Sequence, residues 1–243
     1  MEKDILEVQH NHLQNILKER DDQALDDVMK DFTVHYTYDA ICLEGHNKIP
    51  FEDVKRLIEQ KVLGNYSERE QKEVLNHVKA FEFIIEMVSK NIQMDEDIMK
   101  DIHEMIVDGI YQGGVYRNVN IQMMGSIHQP TDHAKVYDRM HKLFKDVAEK
   151  TFEHPIEKAV YMHAGIAKIH PFLDANGRLA RLVLNYYLMT AGYLPISIPK
   201  HDKETYIDIL EIFKSEKNIQ PLESYFKDLL KKRYEEVISA LEV

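Results

Sequence analysis

His170-Pro171-Phe172-Leu173-Asp174-Ala175-Asn176-Gly177-Arg178-Leu179-Ala180-Arg181 is the run of the chain densest in catalytic side chains. It gathers a base, a hard metal ligand, small residues that let backbone amides approach an anion, and two arginines. A helix beginning at Asn176 would turn its unpaired amides and the positive end of its dipole toward whatever sits over Asp174 to Gly177. Gly177 keeps that backbone open to close approach. Arg178 and Arg181, three apart, project from successive turns and can fork onto phosphate oxygens. Asp174 offers an oxygen suited to Mg²⁺, which takes few protein ligands and uses substrate phosphates for the rest. His170 is placed to take a proton from an incoming hydroxyl. Together these describe attack by an alcohol on a metal-bound, amide-cradled phosphate. Each residue alone has a plainer reading: His170 before Pro171 can end a helix, Asp174 and Asn176 are ordinary caps, and paired arginines usually face solvent. The other faces of this helix carry Leu179, Leu182, Val183, Leu184, Tyr186, Tyr187 and Leu188. Arginines buried among them need anionic partners.

The 243 residues suit one large domain, or a domain with an extension, with a core of its own. With 42 acidic against 31 basic side chains the formal charge is −11, which argues against nucleic acid or an anionic membrane as the main partner. The single cysteine, Cys42, excludes an internal disulfide framework. Met1 to Arg20 is charged and lacks a signal-peptide apolar run, so the expected location is cytoplasmic. Ala159 to Ile198 is interrupted by Lys168, His170, Asp174, Arg178 and Arg181, and reads as buried core and not as a membrane span.

Nine glycines and seven prolines favour an all-α architecture with short connections. Periodicity predicts helices over Ile5 to Leu17, Ala24 to Leu43, Phe51 to Leu63, Glu68 to Asn91, Asp95 to Gln112, Asp132 to Thr151, Pro155 to Ile169, Asn176 to Thr190, Lys203 to Glu216 and Pro221 to Leu241. Gly113 to Pro130 breaks the pattern with alternating Val119, Asn120, Ile121 and Gln122 and reads as a short hairpin. Pro50 marks the one interior boundary, between an N-terminal helical extension (1–50) and a body (51–243).

His170 to Arg181 resembles the signature motif of Fic-domain proteins, with Ala175 where glycine is usual. Gly114-Val115-Tyr116-Arg117-Asn118-Val119, then Gly125-Ser126-Ile127-His128 and Pro130, resemble the family's flap, and Ala191-Gly192-Tyr193-Leu194-Pro195 the turn after its motif helix. The resemblance covers roughly Glu68 to Leu229. It implies an all-α Fic helical bundle with a β-hairpin flap whose Asn118, Val119, Asn120, Ile121 and Gln122 bind a target protein by strand addition. It implies transfer of AMP from ATP to a Ser, Thr or Tyr hydroxyl. His170 is then the base, Asp174 the Mg²⁺ ligand, and Ala175, Asn176 and Gly177 the anion hole, with Arg178 and Arg181 on the distal phosphates and Phe172 anchoring the loop. The related Doc kinases carry lysine at the position of Gly177, so the glycine favours nucleotidyl transfer over phosphorylation. A homodimer is compatible with the family, although no heptad locates an interface.

Tyr36 to His46 resembles the family's inhibitory helix, with Ala40 in place of its Ser or Thr and His46 in place of asparagine. The resemblance implies that Glu44 pairs with Arg181 and keeps the γ-phosphate of ATP from seating, a competition for one guanidinium fork. The plainer reading is a helix that stops at Gly45 with Glu44 in solvent. The same glutamate can position a water, so removal of AMP from the target, or transfer from another nucleotide, stands beside adenylyl transfer. From another class stands a silent peptide-binding module. A zinc cluster of His154, His163, His170 and Asp174 lacks ligand spacing. Tyr206, Tyr225 and Tyr234 read as packing residues, with Tyr206 also placed to lie near the nucleotide base, and Lys231, Lys232 and Arg233 as a solvated helix end.

Overall fold

The computed structural model describes residues 5–20, 22–122 and 128–242. Ten α-helices follow in order among them: α1 (Ile5–Lys18), α2 (Asp22–Glu44), α3 (Phe51–Gln60), α4 (Glu68–Ser89), α5 (Glu96–Val107), α6 (Val136–Glu149), α7 (Pro155–Ile169), α8 (Asn176–Thr190), α9 (Lys203–Glu216) and α10 (Gln220–Leu241). The segments with helical periodicity are therefore the helices, within a few residues at each end. Local chemistry sets several starts. Ser67 and Glu70 form a reciprocal capping box on α4, and Asp95 Oδ1 accepts the Ile98 amide on α5. His154 Nδ1 accepts the Ile156 amide ahead of Pro155 on α7.

α7 and α8 form the centre. Their apolar residues run all round, as buried helices require: Ile156, Val160, Met162, Ile166, Leu179, Leu182, Val183 and Leu184 are each at most 1% exposed. α4, α5 and α6 cover one side, joining Phe81, Ile84, Met99, Ile102 and Met140 to Phe172 and Tyr186 in one cluster. α1, α9 and α10 cover the other, through Leu6, Leu13, Tyr206, Leu222, Phe226 and Tyr234. α2 enters the first cluster with Phe32 and Tyr36.

Three polar ties fix α2 and its end. Thr37 Oγ1 and His77 Nδ1 of α4 share a buried hydrogen bond of 3.1 Å. Asp39 accepts from Ser197 Oγ (2.9 Å) and the Lys200 amide (3.1 Å). Just past the helix, Asn47 Nδ2 donates to Glu73 (3.1 Å). Gly45 stops the helix at φ 81°, a left-handed conformation that glycine adopts without a Cβ penalty.

Two expectations are corrected. Among the described residues there is no strand, so the hairpin over Gly113 to Pro130 is absent; residues 123–127 lie outside the described ones. Side chains take the place of a ladder. Arg117 Nη1 donates to Val119 O (2.9 Å), and Asn120 accepts the His133 amide (2.8 Å) while donating to Asp132 (3.1 Å). Alternation in a loop whose polar groups are satisfied this way carries no strand information. Nor is Arg233 solvated: its guanidinium lies 4.7 Å over the Phe32 ring with the side chain 15% exposed.

Candidate active site

The loop from His170 to Ala175 joins the C-terminus of α7 to the N-terminus of α8. His170 caps α7 in a left-handed conformation (φ 54°, ψ 63°), its amide donating to Ile166 O (2.8 Å). Phe172 is fully buried and stacks on His103 of α5, ring centroids 3.7 Å apart and 7° from parallel. Asn176 closes the loop from inside: Oδ1 accepts the Phe172 amide (2.8 Å) and Nδ2 donates to Phe172 O (2.9 Å). Its side chain thus shapes the anion hole without lining it. Ala175 also sits at positive φ (59°), which explains the glycine usual there and costs an L-residue roughly 1 kcal/mol. Asp174 Oδ1 braces it by accepting the Ala175 amide (2.6 Å).

No side chain caps α8. The first amides of the helix are therefore free donors at the positive end of its dipole. Over them lie Arg178 and Arg181, 4% and 3% exposed. Arg178 Nε and Nη1 and Arg181 Nε are buried without a hydrogen-bond partner. Unpartnered buried guanidinium donors are costly unless an anion completes them. Glu44, at the end of α2, completes one: its Oε1 accepts from Arg181 Nη2 at 2.7 Å, while Ala40 O accepts from the same nitrogen at 3.1 Å. The main chain at Ala40 thus contacts Arg181 where the family pattern places a hydroxyl residue. Although burial opposes it, the charge of Arg181, then that of Arg178, holds the Glu44 carboxyl below the usual range. Glu44 is ionised at neutral pH. A Cβ on Gly177 would lie 2.8 Å from Glu44 Oε1 and 3.1 Å from Arg181 Nη1, so only glycine fits beneath this pair.

Asp174 is half-buried, with its second oxygen 3.9 Å from Arg69. It opens onto a cavity of about 850 Å³ that Arg69, Tyr111, Tyr116, Arg117, Asn118 and Leu173 also line. Among the described residues no cluster of three acidic, His or Cys side chains could hold a metal on its own. A single carboxylate beside an anion cradle suits Mg²⁺ arriving with a polyphosphate, and does not suit zinc. His170 is half-buried, and desolvation pulls its imidazole down to about 4 against the Ala167 carbonyl and Glu44, which favour its charged form. It is neutral at pH 7 and able to accept a proton.

The structure thus brings His170, Asp174, Ala175, Asn176, Gly177, Arg178, Arg181 and Glu44 together. Asn118, Val119, Asn120 and Gln122 are exposed and Ile121 half-buried in the loop beyond Tyr116. Tyr206 is buried and its hydroxyl shares a hydrogen bond with His163 (2.9 Å). His103 escaped sequence reasoning. Its Nε2 donates to Asp174 O (3.1 Å) and its Nδ1 accepts the Gly114 amide (3.1 Å), while burial lowers its pKa to about 4. No spacing signal links it to a loop 71 residues away. Arg117 escaped as well, because a lone arginine in a polar segment reads as solvated.

The Fic/DOC family model matches residues 93–188. Proteins called "Protein adenylyltransferase Fic" from Culex quinquefasciatus and Drosophila melanogaster are 29% and 27% identical over 213 residues, about 85–86% of this chain. The chain spans less than half of their length, 42% and 43%. A Fic-domain-containing signaling protein from Bacteroides thetaiotaomicron superposes with a TM-score of 0.89 at 22% identity, covering 98% of this chain and 97% of that one. Fic-1 of C. elegans superposes with 0.85 at 22%, over 98% and 72%. No helix of the described residues is long and apolar enough to cross a membrane. Residues 93–188, which include the motif loop and the start of α8, are thus a Fic/DOC-family domain, and the bundle around them has the Fic fold.

Proposed function

We propose that the chain is a Mg²⁺-dependent protein adenylyltransferase, held back by Glu44, that moves AMP from ATP to a Ser, Thr or Tyr hydroxyl of a target protein. The observation that carries this is the pair of buried arginines, with Arg178 Nε and Nη1 and Arg181 Nε left without a partner, at the uncapped start of α8 in a loop that also carries a neutral His170. Such a site is built for several anionic oxygens, which one carboxylate does not supply. The amides of α8 hold the α- and β-phosphates, Arg178 and Arg181 the distal oxygens. Asp174 would hold Mg²⁺, which neutralises phosphate charge when bound. The target hydroxyl oxygen bonds to the α-phosphorus, the bond from that phosphorus to the bridging oxygen breaks, and pyrophosphate leaves with the electron pair. The hydroxyl proton passes to the His170 imidazole. The cradle stabilises the charge that develops on the phosphoryl oxygens. A target chain would approach along Asn118 to Gln122, whose exposure, save at half-buried Ile121, supports that role.

One observation favours a second reading. Glu44 is ionised and borders the anion cradle, where it can orient a water against a bound AMP ester. Hydrolytic removal of AMP would then run on the same groups.

The test is where the label goes. With Glu44→Gly protein, Mg²⁺ and a candidate target or the chain itself as acceptor, α-³²P-ATP labels protein and γ-³²P-ATP does not, and His170→Ala abolishes the label. Label from the γ position would make the enzyme a kinase. With nucleotide bound but neither label retained, release of AMP from a pre-adenylylated target would decide for the hydrolase, and its absence for a silent binder.

A further inference from the structure

Arg117 is buried to 3% exposure and, among the described residues, makes no direct ion pair; the Asp132 carboxylate acts on it only at longer range. Its charge is met by carbonyl dipoles instead. Nε donates to His170 O (2.8 Å), Nη2 to Ile169 O (3.4 Å) and to Thr131 O, and Nη1 to Val119 O (2.9 Å). Its own amide donates to Pro171 O (2.9 Å). Two of those carbonyls belong to the last helical residue of α7 and to its cap, groups that the helix leaves unsatisfied and whose dipole favours a cation. The capped residue is His170, in the left-handed conformation that an L-residue keeps only under constraint. The anion cradle is held separately, by Asn176 on Phe172 and by His103 on Asp174.

We propose that Arg117 is a positioning residue for the transfer reaction: it fixes the peptide that carries His170 and ties it to the backbone at Val119 and Thr131, so that the base and the target-facing segment move as one body. This rests on the adenylyltransferase reading. Because the cradle has its own supports, Arg117 governs the geometry of attack and leaves ATP binding alone.

The experiment compares Arg117→Ala and Arg117→Lys in the 243-residue Glu44→Gly chain. It reads turnover with α-³²P-ATP, the Kd of ATP with Mg²⁺ by calorimetry, the thermal midpoint, and the His170 titration by NMR of ¹³C-labelled histidine. Arg117→Ala is expected to lower kcat about 100-fold, the scale of a misplaced reacting group, with the ATP Kd within about twofold. Arg117→Lys is expected to lie between, since an ammonium reaches some of these carbonyls without the planar fork. His170 faces Lys214 of α9, Glu44 of α2 and the Ala167 carbonyl as well as Arg117 itself. Loss of the Arg117 charge alone would therefore move its titration. The lysine variant keeps that charge, so an upward move of His170 from about 4 in Arg117→Lys reports released position. A folded variant with kcat unchanged, or one in which ATP affinity falls in step with kcat, overturns the proposal. If Arg117→Ala does not fold, Arg117→Lys decides on the same readouts. If the Glu44→Gly parent transfers no label, the adenylyltransferase reading has failed on its own. The His170 titration in Arg117→Lys then still decides about the clamp, and an unmoved titration overturns it.

Discussion

Replacing Glu44 with glycine removes the carboxylate that occupies Arg181, and the size of the effect follows from what must be displaced. The bond is a charge-assisted one of 2.7 Å to a buried guanidinium. Such bonds contribute about 1.5–3 kcal/mol net. At about 3 kcal/mol, roughly one chain in 150 has its fork open at any moment, and a ligand that needs the fork sees its affinity cut by that fraction. Glu44→Gly should therefore raise kcat/KM for ATP by on the order of 100-fold. Glu44→Gln keeps a hydrogen bond to the guanidinium but loses the carboxylate's charge, and should fall between the two. The assay is the initial rate of protein labelling from α-³²P-ATP across ATP concentrations, paired with thermal midpoints. Without ATP the glycine variant leaves Arg181 as a buried unpaired charge and should melt earlier than the parent, while ATP with Mg²⁺ should raise its midpoint more than that of the parent. A kcat/KM within threefold of wild type in a folded Glu44→Gly protein would refute the competition.

Two further outcomes follow from the same contacts. Gly177→Ala places a Cβ 2.8 Å from Glu44 Oε1 and 3.1 Å from Arg181 Nη1, so it should unseat Glu44 and also intrude on the cradle; transfer should fall at least tenfold even in the Glu44→Gly background, read by the same labelling assay. His77, His103, His163 and His170 are held neutral by burial, the last three at about 4, 3 and 4. Their folded values lie below the unfolded value of about 6.5, so as pH falls from there toward 4 the unfolded chain takes up protons that the folded chain does not. Each histidine should then lower stability by about 1.4 kcal/mol per pH unit, visible as urea midpoints falling from pH 7 to 5. Midpoints that stay flat across that interval would contradict the neutral burial. Glu44 adds its own loss in the same direction only below the ordinary glutamate range, since its folded value is depressed.

Much of this was legible in the chain because local rules carry it. The helices follow from period and caps, with the starts at Ser67, Asp95 and Pro155 set within four residues of chain. The cradle is likewise contained between His170 and Arg181. What sequence could not carry is long-range. His103 reaches Asp174 O and Arg117 reaches His170 O across 71 and 53 residues, and neither obeys a spacing rule. The flap misled for a related reason. Alternation marks a strand only when one face is buried and a partner supplies the ladder. Here Arg117 and Asn120 satisfy the backbone groups first, and Val119 is left 49% exposed. Sequence places Asn176 in the anion hole and is silent on its side chain, whose two hydrogen bonds to Phe172 clamp the loop from inside.

If Glu44 is the brake of the proposed function, its stoichiometry makes that brake leaky by construction. Glu44 brings one carboxylate to a site with two buried guanidinium groups, and its Oε1 reaches only Arg181. Arg178 keeps two donors without a partner, and Arg181 keeps Nε. The free donors at the start of α8 are also unclaimed by any side-chain cap. The inhibited state is thus stabilised at one point and left unsatisfied at several. A triphosphate with its metal satisfies all of them at once, so each oxygen it seats adds affinity that Glu44 cannot match by tightening its single bond. Closing the enzyme fully would take a second acid reaching Arg178, and Glu73, which borders the same narrow gap as Glu44 and Arg178, is already held by Asn47 and Arg69. On that proposal the fold sets a threshold that ATP would cross at sufficient concentration, and the setting would reside in how firmly Thr37, Asp39 and Asn47 hold α2 and its end in place.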